Sequence, residues 1–362
     1  MQCLVPLILS SERRAPRFNH ELMDQNTLFL LGFSLSLSFL LSYLYLFVAI
    51  RFGFFADVNF RSAHQTPTPT GSGIVLIVLF LIGVVSLWLL KLTSSEVLLV
   101  CLGPCLVGIV GYIDDRGMLT ILVRLPVYIF AACWCIYWLD FPPINVQGVI
   151  VNLGYVGLLF GAISLLWLQN LFNFMDGIDG IAASEVVFVC FAAVLISGQS
   201  IDEWHVVSLL TGCIALGYLW MNWPRATLFM GDAGSNFFGL MLGVLALTTD
   251  FLSVWVWMIL LCQFLVDTCL TIIVRLLSHR KIHEAHSQHA YQHLNRRFGT
   301  LRTLLLSIGV NVFWLLPIAV VAHQLSDFGL ILLLFAAVPL IIKDWVSGAG
   351  QEVPRIEYLR TK

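Results

Sequence analysis

The sequence predicts an all-α, polytopic integral membrane protein with about eleven transmembrane helices. Three observations predict it. Of 362 residues, 59% are hydrophobic and only 11% are charged, whereas a soluble domain carries roughly a quarter charged residues. So few charged groups cannot cover the water-facing surface of a soluble protein of this size. The apolar residues gather in successive stretches near the ~20 residues that cross a bilayer. The Lys and Arg residues fall almost wholly into alternate loops. A net charge of -2 leaves no electrostatic footprint for nucleic acid. Eight of the nine cysteines lie within apolar runs, and Cys3 is near the start. With no CxxC and no paired loop cysteines, neither a disulfide framework nor a thiolate zinc site is suggested.

The first stretch, 28–50, is too long for the apolar core of a signal peptide. Arg51 and Arg61 follow it, and 72–92 then crosses to Lys91 and Glu96. The stretch 96–113 leads back to Arg116 and Arg124, and 121–139 leads out to Asp140. Next come 154–172 inward, 181–197 outward to Asp202 and Glu203, and 205–221 inward to Arg225. The short stretch 233–248 runs out to Asp250. Its successor, 252–277, returns to Arg275, Arg280 and Lys281, with Arg296, Arg297 and Arg302 beyond. Lastly 302–323 reaches Asp327, and 327–342 comes back to Lys343, Arg355, Arg360 and Lys362. With the 51–71 loop in the cytoplasm, that side receives fifteen Lys and Arg residues and the other only Lys91. The expected organisation is a tail at 1–27, a single transmembrane domain at 28–342 and a cytoplasmic tail at 343–362. Arg13, Arg14 and Arg17 break the charge pattern. A translation start at Met23 would remove them, and N-terminal sequencing that found Met1 would exclude that start.

Four polar constellations interrupt the apolar pattern, all at cytoplasmic ends or loops. Asp114 and Asp115 close the third stretch. Neighbouring helical residues point about 100° apart, so the pair suits either a solvated helix end or a cation with an adjacent phosphate. Asn170, Asn173, Asp176 and Asp179 recur every third residue through two Asp-Gly steps. That pattern predicts a polar stripe that is costly beside lipid without a cation or polar ligand. Asp232 and Ser235 stand in Gly-Asp-Ala-Gly-Ser, which suits both a helix N-cap and a phosphate site. The loop 278–301 carries His279, His283, His286, His289 and His293 among basic residues. The spacing of His286, His289 and His293 predicts one shared helical face. Phosphate, anionic headgroups and zinc are all chemically open to that loop. Asp267, deep in the ninth stretch, must face the bundle interior or a polar cavity.

Acids, amides, histidines and basic residues on one membrane face suit phosphoryl transfer between a water-soluble nucleotide and a lipid. The motifs IDD at 113–115, NFMDGIDG at 173–180, FMGDAGS at 229–235 and HAYQHL at 289–294 resemble the polyprenyl-phosphate N-acetylhexosamine-1-phosphate transferases. The resemblance runs from about Asp57 to Phe298 in the family's order. Arg61-Ser62-Ala63-His64, Pro67-Thr68-Pro69 and HAYQHL are most similar to the O-antigen-initiating subgroup. Two places depart from the pattern: Thr70-Gly71-Ser72-Gly73 stands where a basic residue is usual, and no third acid follows Asp115.

The resemblance implies transfer of a sugar-1-phosphate from a UDP-N-acetyl sugar to undecaprenyl phosphate at the bacterial inner membrane, with release of UMP. It implies Asp114, Asp115, Asp176 and Asp179 as catalytic groups and Asp232 with Asp115 as ligands of Mg²⁺, or Mn²⁺ in its place. It assigns substrate contacts to Asn173, His289 and His293, with His286 and Arg280 beside them on the basic loop. Direct attack by the lipid phosphate and a covalent aspartyl intermediate both remain open. Expected partners are undecaprenyl phosphate, the UDP-sugar and membrane lipids; a homodimer is left open and nucleic acid is not expected. A secondary transporter is the rival from another class. It would place ionisable groups near the membrane midplane, where only Asp267 fits.

Overall fold

The computed structural model describes residues 25–56, 67–117, 119–139, 141–198, 201–248, 251–280 and 286–352. Met23, Arg61 to His64, Lys281, His283 and the tail beyond 352 lie outside the described residues.

Each of the eleven apolar stretches contains a helix. In chain order these are α1 (Gln25–Phe52), α2 (Gly73–Leu89), α3 (Ser95–Asp114), α4 (Ile121–Leu139), α5 (Gly154–Met175), α6 (Ile181–Ser197), α7 (Glu203–Asn222) and α8 (Gly231–Ala246). They continue with α9 (Val254–Leu260), α10 (Cys262–Leu277), α11 (Ala290–Phe298), α12 (Thr300–Val310), α13 (Leu316–Gln324) and α14 (Gly329–Ser347). A small antiparallel hairpin, β1 (Ile144–Val146) and β2 (Val149–Val151), turns on Gln147-Gly148 between α4 and α5. Among the described residues, seven helical segments are long and apolar enough to cross a membrane, or eight if α9 and α10 form one bent span. The protein is an all-α, multi-pass membrane protein.

Exposed apolar side chains on the outer helices fit that reading. Leu122 of α4 and Phe313 near the start of α13 are each 82% exposed, which is costly in water but not in lipid.

α8 is the innermost helix, with an almost unbroken buried run from Ala233 to Leu245. It packs against α2, α3 and α5, and small residues let the backbones approach closely. A Cβ on Gly111 of α3 would lie 2.5 Å from the Asp232 carbonyl oxygen. One on Gly73 of α2 would lie 2.1 Å from the Gly234 nitrogen. These contacts bring the end of α3, with its two aspartates, onto the start of α8.

Three local features differ from the expected pattern. The stretch 252–277 is two helices bent by 76°. No Gly or Pro marks the break at Leu260-Leu261-Cys262; α9 packs on α13 and α14, whereas α10 packs on α14 and α5. A π-helical turn at Asn311–Leu315 interrupts the stretch 302–323. It holds Asn311 where its Nδ2 donates to buried Glu185 of α6 at 2.6 Å, giving two polar side chains a partner away from water. Finally, the histidines do not share a helical face. His286 precedes α11, His289 is its extended N-cap residue, and only His293 lies within it.

Candidate active site

The site is built where the ends of α3, α4, α5 and α8 meet. Asp115 follows α3 directly, and its carboxylate caps α8 from outside that helix. The Asp232 N–H donates to Oδ1 at 2.8 Å and the Ala233 N–H to Oδ2 at 3.3 Å. Gly231 makes the approach possible. It has φ +69°, and a Cβ there would lie 2.4 Å from Asp115 Oδ2. Burial, followed by the negative charge of Asp232, pushes the Asp115 carboxyl up to about 7, although both N–H donors and Arg116 oppose the shift.

Asp114 pairs with Arg124 in the first turn of α4. The same guanidinium nitrogen lies 3.9 Å from Asp232 Oδ2. From α5, Asn173 Nδ2 donates to Asp232 Oδ1 at 3.0 Å and to Ser235 Oγ at 2.8 Å. Asp232 is thus held between an amide and a guanidinium, while its side chain stays 41% exposed. The carboxylate is oriented yet reachable.

Asp176 is the C-cap residue of α5. Burial and then the charges of Asp232, Asp115 and Asp179 push its carboxyl up to about 7. Asp179 has a bracing position in the same turn. The backbone N–H groups of Arg225 and Ala226 both donate to its Oδ2 at 3.1 Å, tying the turn to the strained residue Arg225, which has φ +71°. The Gly180 N–H donates to Asn222 Oδ1 at 3.0 Å, a second tie between the same segments.

The histidine segment reaches the site through α5. Tyr291 Oη donates to the Phe174 carbonyl at 3.0 Å, and a Cβ on Gly177 would lie 2.0 Å from that phenol oxygen. The His289 ring sits 6.3 Å from Phe174 and stacks on His286 at 5.1 Å. Arg280 turns toward the C-terminal segment, donating to the Gly350 carbonyl at 3.2 Å and lying 3.7 Å from Glu352. His293 sits against Gly348.

Asp114, Asp115, Asn173, Asp176 and Asp232 therefore converge. His286 and His289 adjoin the same turn through Phe174 and Tyr291, while Arg280 and His293 meet the C-terminal segment. Sequence reasoning missed Arg124, because a basic residue at a cytoplasmic helix end reads as an interfacial anchor. It also missed Tyr291 and Asn222, whose partners lie far away in the chain.

No group of three or more His, Cys, Asp or Glu side chains is poised to clasp a metal among the described residues. That arrangement still suits Mg²⁺, which takes one or two carboxylates, keeps waters and completes its shell with substrate phosphate. Asp232 and Asp115 offer hard oxygen donors at the start of α8, and a divalent cation there would relieve their mutual repulsion.

Residues 97–250, which hold every one of these aspartates, match the profile of Glycosyl transferase family 4. The match covers less than half of the chain. The chain is 31% identical over 228 residues to a decaprenyl-phosphate N-acetylglucosaminephosphotransferase of Mycolicibacterium smegmatis, covering 56% of this chain and 54% of that one. It is 27% identical over 197 residues to a phospho-N-acetylmuramoyl-pentapeptide-transferase of Kosmotoga olearia, covering 51% and 60% respectively. A probable undecaprenyl-phosphate N-acetylglucosaminyl 1-phosphate transferase of Bacillus subtilis is 25% identical over 259 residues, covering 68% and 71%. The chain thus spans only 54% and 60% of the first two relatives' own length.

Proposed function

We propose that this protein transfers an N-acetylhexosamine-1-phosphate from a UDP-sugar to undecaprenyl phosphate, releasing UMP and starting a cell-surface polysaccharide such as an O-antigen. In this reading the chain makes eleven crossings of the bacterial inner membrane and the site faces the cytoplasm. The observation that carries the proposal is the convergence of Asp114 with Arg124, Asp115 with the start of α8, and Asn173 with Asp232.

A lipid acceptor must enter from the bilayer, and α4 presents an exposed apolar face there with Arg124 at its inner end. Arg124 would draw in the acceptor phosphate, and Asp114 beside it would position that phosphate and take up its proton. An acceptor oxygen attacks the β-phosphorus of the UDP-sugar, and the bond from that phosphorus to the bridging oxygen breaks. UMP leaves with the bridging oxygen and its electron pair. Asn173, Asp176 and the turn braced by Asp179 would hold the nucleotide sugar. His286 and His289 would meet its phosphates, with Arg280 and His293 bracing their loop.

Mg²⁺, or Mn²⁺ in its place, would be held by Asp232 and Asp115 and would neutralise charge on the diphosphate. Asp115 spends two of its roughly four lone-pair directions on α8, so it keeps acceptor capacity for such a role.

The test is purified protein in detergent with Mg²⁺, undecaprenyl phosphate and a panel of UDP-N-acetyl sugars, followed by lipid extraction and mass spectrometry. A lipid carrying diphosphate and one N-acetylhexosamine is expected with at least one donor. No such lipid with any donor would overturn the proposal.

A further inference from the structure

Asp267 sits in the interior of α10 and is only 2% exposed. A carboxylate there survives only if its oxygens are supplied with donors. Four donors converge on it. The backbone N–H groups of Ala290 and Tyr291, at the start of α11, reach Oδ1 and Oδ2, each at 2.9 Å. His289 Nδ1 lies 3.1 Å from Oδ1, and Thr271 Oγ1 donates to the same oxygen at 3.2 Å. Asp267 is therefore the N-terminal cap of α11, supplied from another helix. The residue in the usual cap position, His289, is itself held by that carboxylate.

The contacts continue to the reaction site. Tyr291, whose N–H is held by Asp267, uses its phenol to donate to the Phe174 carbonyl, two residues before Asp176. With Nδ1 occupied by Asp267, Nε2 is the His289 nitrogen left for a ligand.

We infer that Asp267 is a positioning residue: it fixes the tautomer and orientation of His289 and, through Tyr291, the turn that carries Asp176. The consequence for turnover rests on the proposed transferase reading, whereas the anchoring of α11 does not.

Asp267→Asn replaces an acceptor oxygen with a donor amide and so removes one of the two backbone bonds to α11. Hydrogen exchange of the peptide spanning 286–298 should rise at least about tenfold, while that of α3 and α8 stays unchanged. Turnover should fall about 10- to 100-fold, with KM for the UDP-sugar moving less than about threefold. Combined with Tyr291→Phe, the loss should be well short of the product of the two single losses, because both changes act on one linkage. Thr271→Val, which removes one donor and keeps the carboxylate, guards against a variant that fails to fold. It should raise the same exchange about two- to fivefold.

Unchanged exchange at 286–298 in both variants would overturn the anchoring. Fully multiplicative losses in the double variant, or a KM rise that accounts for the whole loss, would overturn the positioning role. A wild-type protein with no transfer at all would sink the transferase reading, and the exchange measurements would still decide the anchor.

Discussion

Asp115 and Asp232 are joined through the backbone: the carboxylate that ends α3 accepts the N–H of the residue whose own carboxylate opens α8. Two acidic side chains are thus brought side by side by a helix cap, and their repulsion is built into the fold. Asp115→Asn keeps one acceptor oxygen for α8 and removes the charge. Asp232→Asn leaves the cap intact. Both proteins should remain in the membrane at near wild-type level, and both should lose transfer by more than about a hundredfold, measured as lipid-linked product per protein. Full activity in either variant would remove that residue from the mechanism.

Arg124 makes a different prediction. Its guanidinium pairs with Asp114 and stands 3.9 Å from Asp232, so its loss affects both acids. Arg124→Ala should lower kcat/KM for undecaprenyl phosphate about 10- to 100-fold, the range of a lost charge-assisted hydrogen bond of about 1.5–3 kcal/mol. KM for the UDP-sugar should move far less. Arg124→Lys should recover part of the loss, since it restores the charge without the planar fork. Equal effects on both substrates would place Arg124 outside acceptor binding.

The close crossing of α3 and α8 is tested at Gly111. A Cβ there would meet the Asp232 carbonyl at 2.5 Å, a backbone atom that cannot rotate away. Gly111→Ala should therefore cost about 1–3 kcal/mol through overpacking and shift Asp232 relative to Asp115. Lower thermal stability in detergent and strongly reduced transfer are expected together. A stable, fully active Gly111→Ala protein would show that the two helices do not pass this closely.

The pH dependence follows from acids that are buried and then crowded by one another. Asp115 and Asp176 are pushed to about 7, above the ordinary Asp value of about 3.9. Folding favours their protonated forms, so their contribution to stability is fully present below about pH 4 and is lost as pH rises through about 7. Metal-free protein should therefore lose thermal stability between those values. Added Mg²⁺ should raise the melting temperature more at pH 8 than at pH 5.5, because the cation competes with those protons. An equal rise at both pH values would count against a carboxylate-held cation.

How much of this was legible in the sequence varies by interaction. The helices were legible because lipid demands long apolar runs, and Arg51, Arg116 and Arg225 bound them visibly. Asp114, Asp115, Asp176 and Asp232 stood out because acids beside such runs are costly. Pairing was not legible. Asp267 meets residues 22 to 24 positions away, and Asp179 meets backbone 46 and 47 positions away. The bend at Leu261 carries no Gly or Pro, and its two halves pack on partly different helices. The histidine spacing suggested a helix one turn too early, because Asp267 starts α11 at Ala290.

Following the β-phosphorus tests the central claim most directly. Purified protein is supplied with Mg²⁺, undecaprenyl phosphate and an accepted UDP-N-acetyl sugar labelled with ³²P at the β-phosphate. The label should pass into the lipid extract, with unlabelled UMP released in equal amount, and Asp232→Asn should abolish both. Label left in water as UDP while the sugar enters the lipid, or no labelled lipid at all, would contradict transfer of a sugar-1-phosphate at this site.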